Sequence, residues 1–146
     1  MRPPGALDEA AFLSACTRCG RCLEACPPEA IGKDAAGFPT LQPGNVPCAL
    51  CAAVPCASAC PSDIGALRPV AAEAIRIGFA RVFDKLCLNH HEAESCENCL
   101  DWCPVPGALV AGPRGIPTVV LEHCTGCGAC ARHCKAYPSA IGIHPR

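Results

Sequence analysis

Sixteen cysteines in 146 residues leave this chain few ways to fold, because their spacing is too regular to be incidental. They fall into four sets of four: Cys16, Cys19, Cys22, Cys26; Cys48, Cys51, Cys56, Cys60; Cys87, Cys96, Cys99, Cys103; and Cys124, Cys127, Cys130, Cys134. None is left over. The first and last sets share the spacing C-x2-C-x2-C-x3-C, and three of the four closing cysteines precede proline: Cys26, Cys60 and Cys103. Each set is followed by a small residue and an aliphatic one, at Ala30-Ile31, Ala66-Leu67, Ala108-Leu109 and Ala140-Ile141. Sets two to four are approached through β-leaning residues around Phe38-Pro39-Thr40-Leu41, Ala80-Arg81-Val82-Phe83 and Pro117-Thr118-Val119-Val120-Leu121. The repeat therefore reads as short strand, cysteine loop, short helical turn and short strand, four times over.

The rest of the composition cannot fold the chain unaided. Only thirty-three residues are Val, Ile, Leu, Met, Phe, Trp or Tyr, against 16 Pro and 13 Gly. A chain so poor in large apolar side chains folds when metal or disulfides supply the cross-links. Disulfides fit badly, since thiols two residues apart do not readily pair. Structural zinc is built from two separated C-x2-C hooks with tetrahedral ligands, a pattern that sets two and three alone would allow. Sets one and four place a third cysteine at once in the same loop, which suits wrapping a larger inorganic body. That run is the one that holds a cubane [4Fe–4S] cluster, its fourth thiol reaching a different cluster where two are present. Four sets with one underlying repeat predict four [4Fe–4S] clusters. Gly126 and Gly128 suit a backbone that passes close to sulfur and iron.

Other signals are weaker. Every set already has four thiols, so His90, His91, His123 and His133 read as solvated loop histidines rather than ligands. Gly126-x-Gly128-x-x-Ala131 lacks the strand–turn–helix setting of a dinucleotide fingerprint. The net charge of −1 and the absence of a basic block argue against nucleic acid as partner. No apolar run is long enough to span a membrane, and Met1-Arg2-Pro3-Pro4 shows no secretory start. Cytoplasmic placement follows as the sequence stands, periplasmic if an export signal precedes it. Glu92, Glu94, Glu97 and Asp101 form an acidic run, either a solvated face or a docking patch for a basic partner. Asp8 is placed to cap a helix over 10–15; Pro69 with the residues after it predicts one or two helical turns. Asp34-Ala35-Ala36-Gly37 and Gly112-Pro113-Arg114-Gly115 predict hairpin turns. The expected fold is small, irregular α+β: tandem bacterial-ferredoxin-like units, four cysteine sets in two lobes of a single body spanning 1–146.

Several stretches resemble one family. Arg2-Pro3-Pro4-Gly5-Ala6 before Phe12-Leu13, then Cys16-Thr17-Arg18-Cys19-Gly20-Arg21-Cys22, is similar to the start of the NapF/NapG/MauM ferredoxin-type proteins. The widened second set, from Pro47-Cys48 to Cys60-Pro61, and the third, with Cys87-Leu88-Asn89 and Cys96-Glu97-Asn98-Cys99, resemble the same family. Lys135 after Cys134, where the family pattern has proline, departs from it. These proteins accompany periplasmic nitrate reductase and methylamine-utilisation systems. The residues alone predict electron transfer, an electron carrier and not an enzyme, since clusters strung through a small chain form a wire. The resemblance implies the setting, a bacterial respiratory chain. Its implied partners are a nitrate-reductase-like molybdoenzyme or related dehydrogenase and a quinol-oxidising membrane subunit. The alternative is an accessory protein that docks on an immature reductase and aids cluster loading.

Spacing alone leaves open which sets share ligands. Resemblance to four-cluster respiratory subunits implies nesting, outer sets together and inner sets together. Cys16, Cys19 and Cys22 would then join Cys134, and Cys124, Cys127 and Cys130 would join Cys26. Cys48, Cys51 and Cys56 would join Cys103, and Cys87, Cys96 and Cys99 would join Cys60. One lobe would comprise 1–47 with 104–146, the other 48–103.

Overall fold

A computed structural model describes residues 1–91 and 95–146. In chain order the elements are α1 (Glu9–Ala15), α2 (Arg21–Glu24), β1 (Ile31–Lys33), β2 (Pro39–Leu41), α3 (Pro55–Ser58), β3 (Phe79–Val82), α4 (Asn98–Asp101), β4 (Leu109–Ala111), β5 (Pro117–Val119), α5 (Ala129–Arg132) and β6 (Ile141–His144). Asp8 caps α1 as expected, its Oδ1 accepting from the Ala11 amide at 3.1 Å. The four helices after α1 are single turns, each inside a cysteine set.

Among the described residues, three two-stranded antiparallel sheets form: β1 with β2, β4 with β5, and β3 with β6. Asp34 builds the first hairpin, its Oδ1 accepting from the amides of Ala36 and Phe38. Pro113–Gly115 makes a tight turn in the second. Both β1–β2 and β4–β5 lie between two consecutive cysteine sets, whereas β3–β6 joins the approach to set three with the exit from set four. Its counterpart in the first half is a single bridge, Ala6 to Leu67. The repeat is thus two copies of a two-set unit rather than four copies of a one-set unit.

Packing follows that division. One apolar cluster gathers Phe12, Ile31, Leu41, Val54, Leu67, Ile75 and Ile77. Two others, around Ala80 and Ile141 and around Cys87 and Ile116, take only residues beyond 78. The lobes are consecutive in sequence and meet near Gly78. The nested division, 1–47 with 104–146 against 48–103, is not the one the fold makes. A short hairpin returns the chain at once to the set it has just left, which costs little loop-closure entropy. Arg2 staples the first lobe: it reaches Glu9 and Asp34 at 2.7 and 2.9 Å and lies 4.9 Å from the centre of the Phe12 ring.

The helical turns expected after Pro69 shrink to a single tight turn, Ala72–Ala74. Ile75 and Ile77 are both buried, with Arg76 between them bonding the carbonyls of Glu73, Ile75 and Glu122. Alternation of that kind belongs to extended chain.

Candidate metal centres

Each single-turn helix carries two cysteines to two different places. Cys22 lies in α2 and Cys26 just past it; Cys56 and Cys60 stand in the same relation to α3, Cys99 and Cys103 to α4, and Cys130 and Cys134 to α5. The result is four small cavities of near-equal size, 320, 340, 340 and 290 Å³ including the open mouth. Site one is lined by Cys16, Cys19, Cys22 and Cys60. Site two takes Cys48, Cys51, Cys56 and Cys26. Site three takes Cys87, Cys96, Cys99 and Cys134. Site four takes Cys124, Cys127, Cys130 and Cys103.

Three thiols of one set and the closing thiol of another meet in every cavity, but the partner sets are neighbours in sequence. The nested sharing is therefore corrected: Cys134 joins site three and not Cys16, Cys26 joins site two and not Cys124, Cys103 joins site four and not Cys48, and Cys60 joins site one and not Cys87. The physical reason is that of the lobes, since the hairpin between two sets lays their helices side by side.

The small-then-aliphatic pair after each set has a use at these walls. Ala30, Ala66, Ala108 and Ala140 are all buried. The Ala30 amide donates to Cys26 Sγ at 3.3 Å and the Ala140 amide to Cys134 Sγ at 3.4 Å. Leu67 does the same for Cys60, and Ala80 for Cys124. Amides aimed at sulfur favour thiolate over thiol. Left-handed backbone recurs one residue before the second cysteine of three sets, at Arg18, Leu50 and Gly126, with φ of 59°, 50° and 74°.

All sixteen cysteines are free, and among the described residues no three metal-binding side chains converge to hold a single ion. Four thiols around one cavity suit a polynuclear body instead. Burial pushes the Cys22, Cys48 and Cys99 thiols up to about 11 and Cys130 up to about 12, with neighbouring thiols adding to the rise. Thiolates so placed require positive charge inside the cavity, which iron supplies. Thr125 gives an independent sign of fit. Burial raises the Cys127 thiol, while the Ala129 amide and the Thr125 hydroxyl oppose that rise. That hydroxyl is buried and finds no hydrogen bond of full geometry. A Cys127 thiolate is the acceptor it lacks.

Comparison with known proteins agrees. The family described as a 4Fe-4S dicluster domain matches residues 15–64, the span of sets one and two. The methylamine utilization ferredoxin-type protein MauM of Methylobacillus flagellatus is 39% identical, over 100% of this chain and 68% of its own length. The ferredoxin-type protein NapG of Escherichia coli is 34% identical, over 99% of this chain and 70% of its own. The ferredoxin-type protein NapF of the same organism is 36% identical, over 92% and 79%. The chain belongs to the MauM, NapG and NapF family of ferredoxin-type proteins. It is an iron–sulfur protein of electron-transfer type. The dicluster match covers one lobe, in keeping with two neighbouring sets as the structural unit.

Two features of this ferredoxin-type chain escape the spacing argument. Asn89, buried within the long interval of set three, donates to the carbonyls of Cys96 and Gly115 at 2.9 and 2.6 Å and accepts from the Cys96 amide at 2.8 Å. It closes the loop that carries Cys96 to site three. The other is His133, which is no solvated loop residue: its ring stacks on Trp102 with centroids 3.8 Å apart and planes 4° from parallel. Both rings directly precede closing cysteines, Cys103 and Cys134, where the first lobe has Ala25 and Ala59. Aligning the four sets on their closing cysteines would have drawn attention to the pair. Of the acidic run, Glu92 and Glu94 lie outside the described residues.

Proposed function

We propose that this chain is a one-electron carrier holding four [4Fe–4S] clusters, one in each thiol site. The observation that carries the reading is the repetition of one recipe: three cysteines of a set, the closing cysteine of its neighbour, and apolar walls. A [4Fe–4S] cluster supplies reversible one-electron chemistry without forming a bond to substrate. The sixteen cysteines act as its ligands: Cys16, Cys19, Cys22 and Cys60; Cys48, Cys51, Cys56 and Cys26; Cys87, Cys96, Cys99 and Cys134; Cys124, Cys127, Cys130 and Cys103.

The surrounding chain binds and tunes. Amides of Ala30, Leu67, Ala80 and Ala140 stabilise negative charge at sulfur, while Phe12, Leu41, Ile141 and Ile143 border or back the cavities against water. The setting proposed is a bacterial respiratory chain feeding, or fed by, a nitrate-reductase-like molybdoenzyme or a related dehydrogenase. The MauM and NapG relatives support it.

Anaerobically prepared protein should be brown and carry about sixteen iron and about sixteen acid-labile sulfide per chain. A colourless zinc protein that stays folded in air would overturn the reading. The carrier role is tested by mixing reduced protein with a purified partner reductase and following reoxidation, which should proceed at a rate that added salt changes if docking is charge-assisted.

A further inference from the structure

Four sites in two lobes can be strung together in more than one order, and the order decides which sites a partner can reach. Within each lobe the link is a single helical turn. The cysteine in α2 and the one just past it lie four residues apart, as do the corresponding pairs at α3, α4 and α5. At about 1.5 Å of rise per residue, the two cysteines that serve neighbouring sites start from backbone only about a turn apart. Site one is thereby tied to site two, and site three to site four.

Between the lobes the contacts are one-sided. The Cys48 amide donates to the Cys127 carbonyl at 2.9 Å, and the Ile77 and Gly78 amides donate to the Thr125 carbonyl at 3.0 and 3.3 Å. A Cβ on Gly126 would stand 2.4 Å from the Gly78 carbonyl carbon, and one on Gly128 only 2.2 Å from the Pro43 carbonyl oxygen. The loop of set four therefore lies against two stretches, Pro43 to Cys48 at the start of set two and Ile77-Gly78 where the lobes join, close enough that only glycine fits. None of these contacts ends on a residue of set one or set three. The lining of site one comes wholly from residues between 12 and 67, and that of site three from residues between 82 and 141. Exposure agrees for the two extremes, since Cys124, Cys127 and Cys130 of site four are all buried while Cys19 of site one is exposed; it does not separate site two from site three.

We infer that the four sites stand in one line in the order one, two, four, three, with Cys48 of site two facing Cys127 of site four where the lobes meet. The inference rests on the four-cluster reading above. It departs from chain order and makes sites one and three the ends that donor and acceptor proteins approach.

The test uses the loaded full-length chain, fully reduced, with electron paramagnetic resonance as readout, because neighbouring paramagnetic clusters broaden one another. Replacing Cys127 and Cys130 by Ala removes site four, and should leave site three alone and give a sharp, uncoupled signal. Replacing Cys96 and Cys99 by Ala removes site three, and should leave a coupled row with no such signal. The reverse pattern would overturn the order. A wild-type iron content well below about sixteen would instead overturn the four-cluster reading on which the order rests. Should either variant fail to keep its remaining iron, hydrogen exchange on the loaded wild-type chain decides. The Cys48, Ile77 and Gly78 amides should exchange slowly, and exchange at the rate of open loop amides would remove the junction.

Discussion

At the scale of single residues, the thiols alone do not define the sites; their hydrogen-bond donors complete them. Thr125 is buried beside Cys127, and its hydroxyl opposes the rise of that thiol. Thr125→Val should lower the reduction potential of site four by roughly 40 mV, the one-electron equivalent of a hydrogen bond of about 1 kcal/mol, and Thr125→Ser should restore it. A redox titration followed by electron paramagnetic resonance checks both. Asn89 makes three hydrogen bonds around the Cys96 loop. Asn89→Ala should cost about 2–3 kcal/mol locally, and site three should lose iron before the others on mild chelation. Spacing fixed the cysteines as a framework because ligand intervals are local. It was silent on Thr125 and Asn89, whose roles depend on neighbours brought together only by folding.

Elements here are too short to stand by themselves. Single-turn helices fall well below the length at which a helix is stable in water, so what surrounds them must hold them. In the metal-free chain that support is missing, and buried thiols become a liability at high pH. The folded-state thiols of Cys22, Cys48, Cys99 and Cys130 are raised to about 11 or 12 from an ordinary value of 9.0. The folded apo form holds more protons than the unfolded chain above pH 9, so whatever structure it retains should weaken as the pH rises from about 9 to about 12. Loaded protein, its thiolates already committed to iron, should not share that loss; circular dichroism of both forms across this range is the check. Strand positions were legible: Pro39–Leu41 and Pro117–Val119 fall within the β-leaning approaches to sets two and four, and Phe79–Val82 overlaps the approach to set three, shifted by one residue. The stretch after Pro69 was not, because a helical start signal was outweighed by the burial of Ile75 and Ile77.

For the whole molecule, the partner sets could not be read from spacing, because the intervals between successive sets are alike; the fold chooses the nearer partner each time. Trp102 reports on that choice. As the chain's one tryptophan, stacked on His133 and next to Cys103 in sequence, it senses the second lobe alone. Its fluorescence should rise severalfold on iron loss from sites three and four, and stay level when site one is emptied by replacing Cys16 and Cys19. The lining of sites one and two lies entirely between residues 4 and 75. During synthesis, the first lobe is therefore complete in its ligands once that stretch has left the ribosome, before any cysteine of the second lobe has emerged. A nested arrangement would have kept every site waiting for thiols not yet made. Maturation can instead proceed in the direction of translation, with the half that is finished first already filled when it receives the loop of Gly126 and Gly128 against its flank.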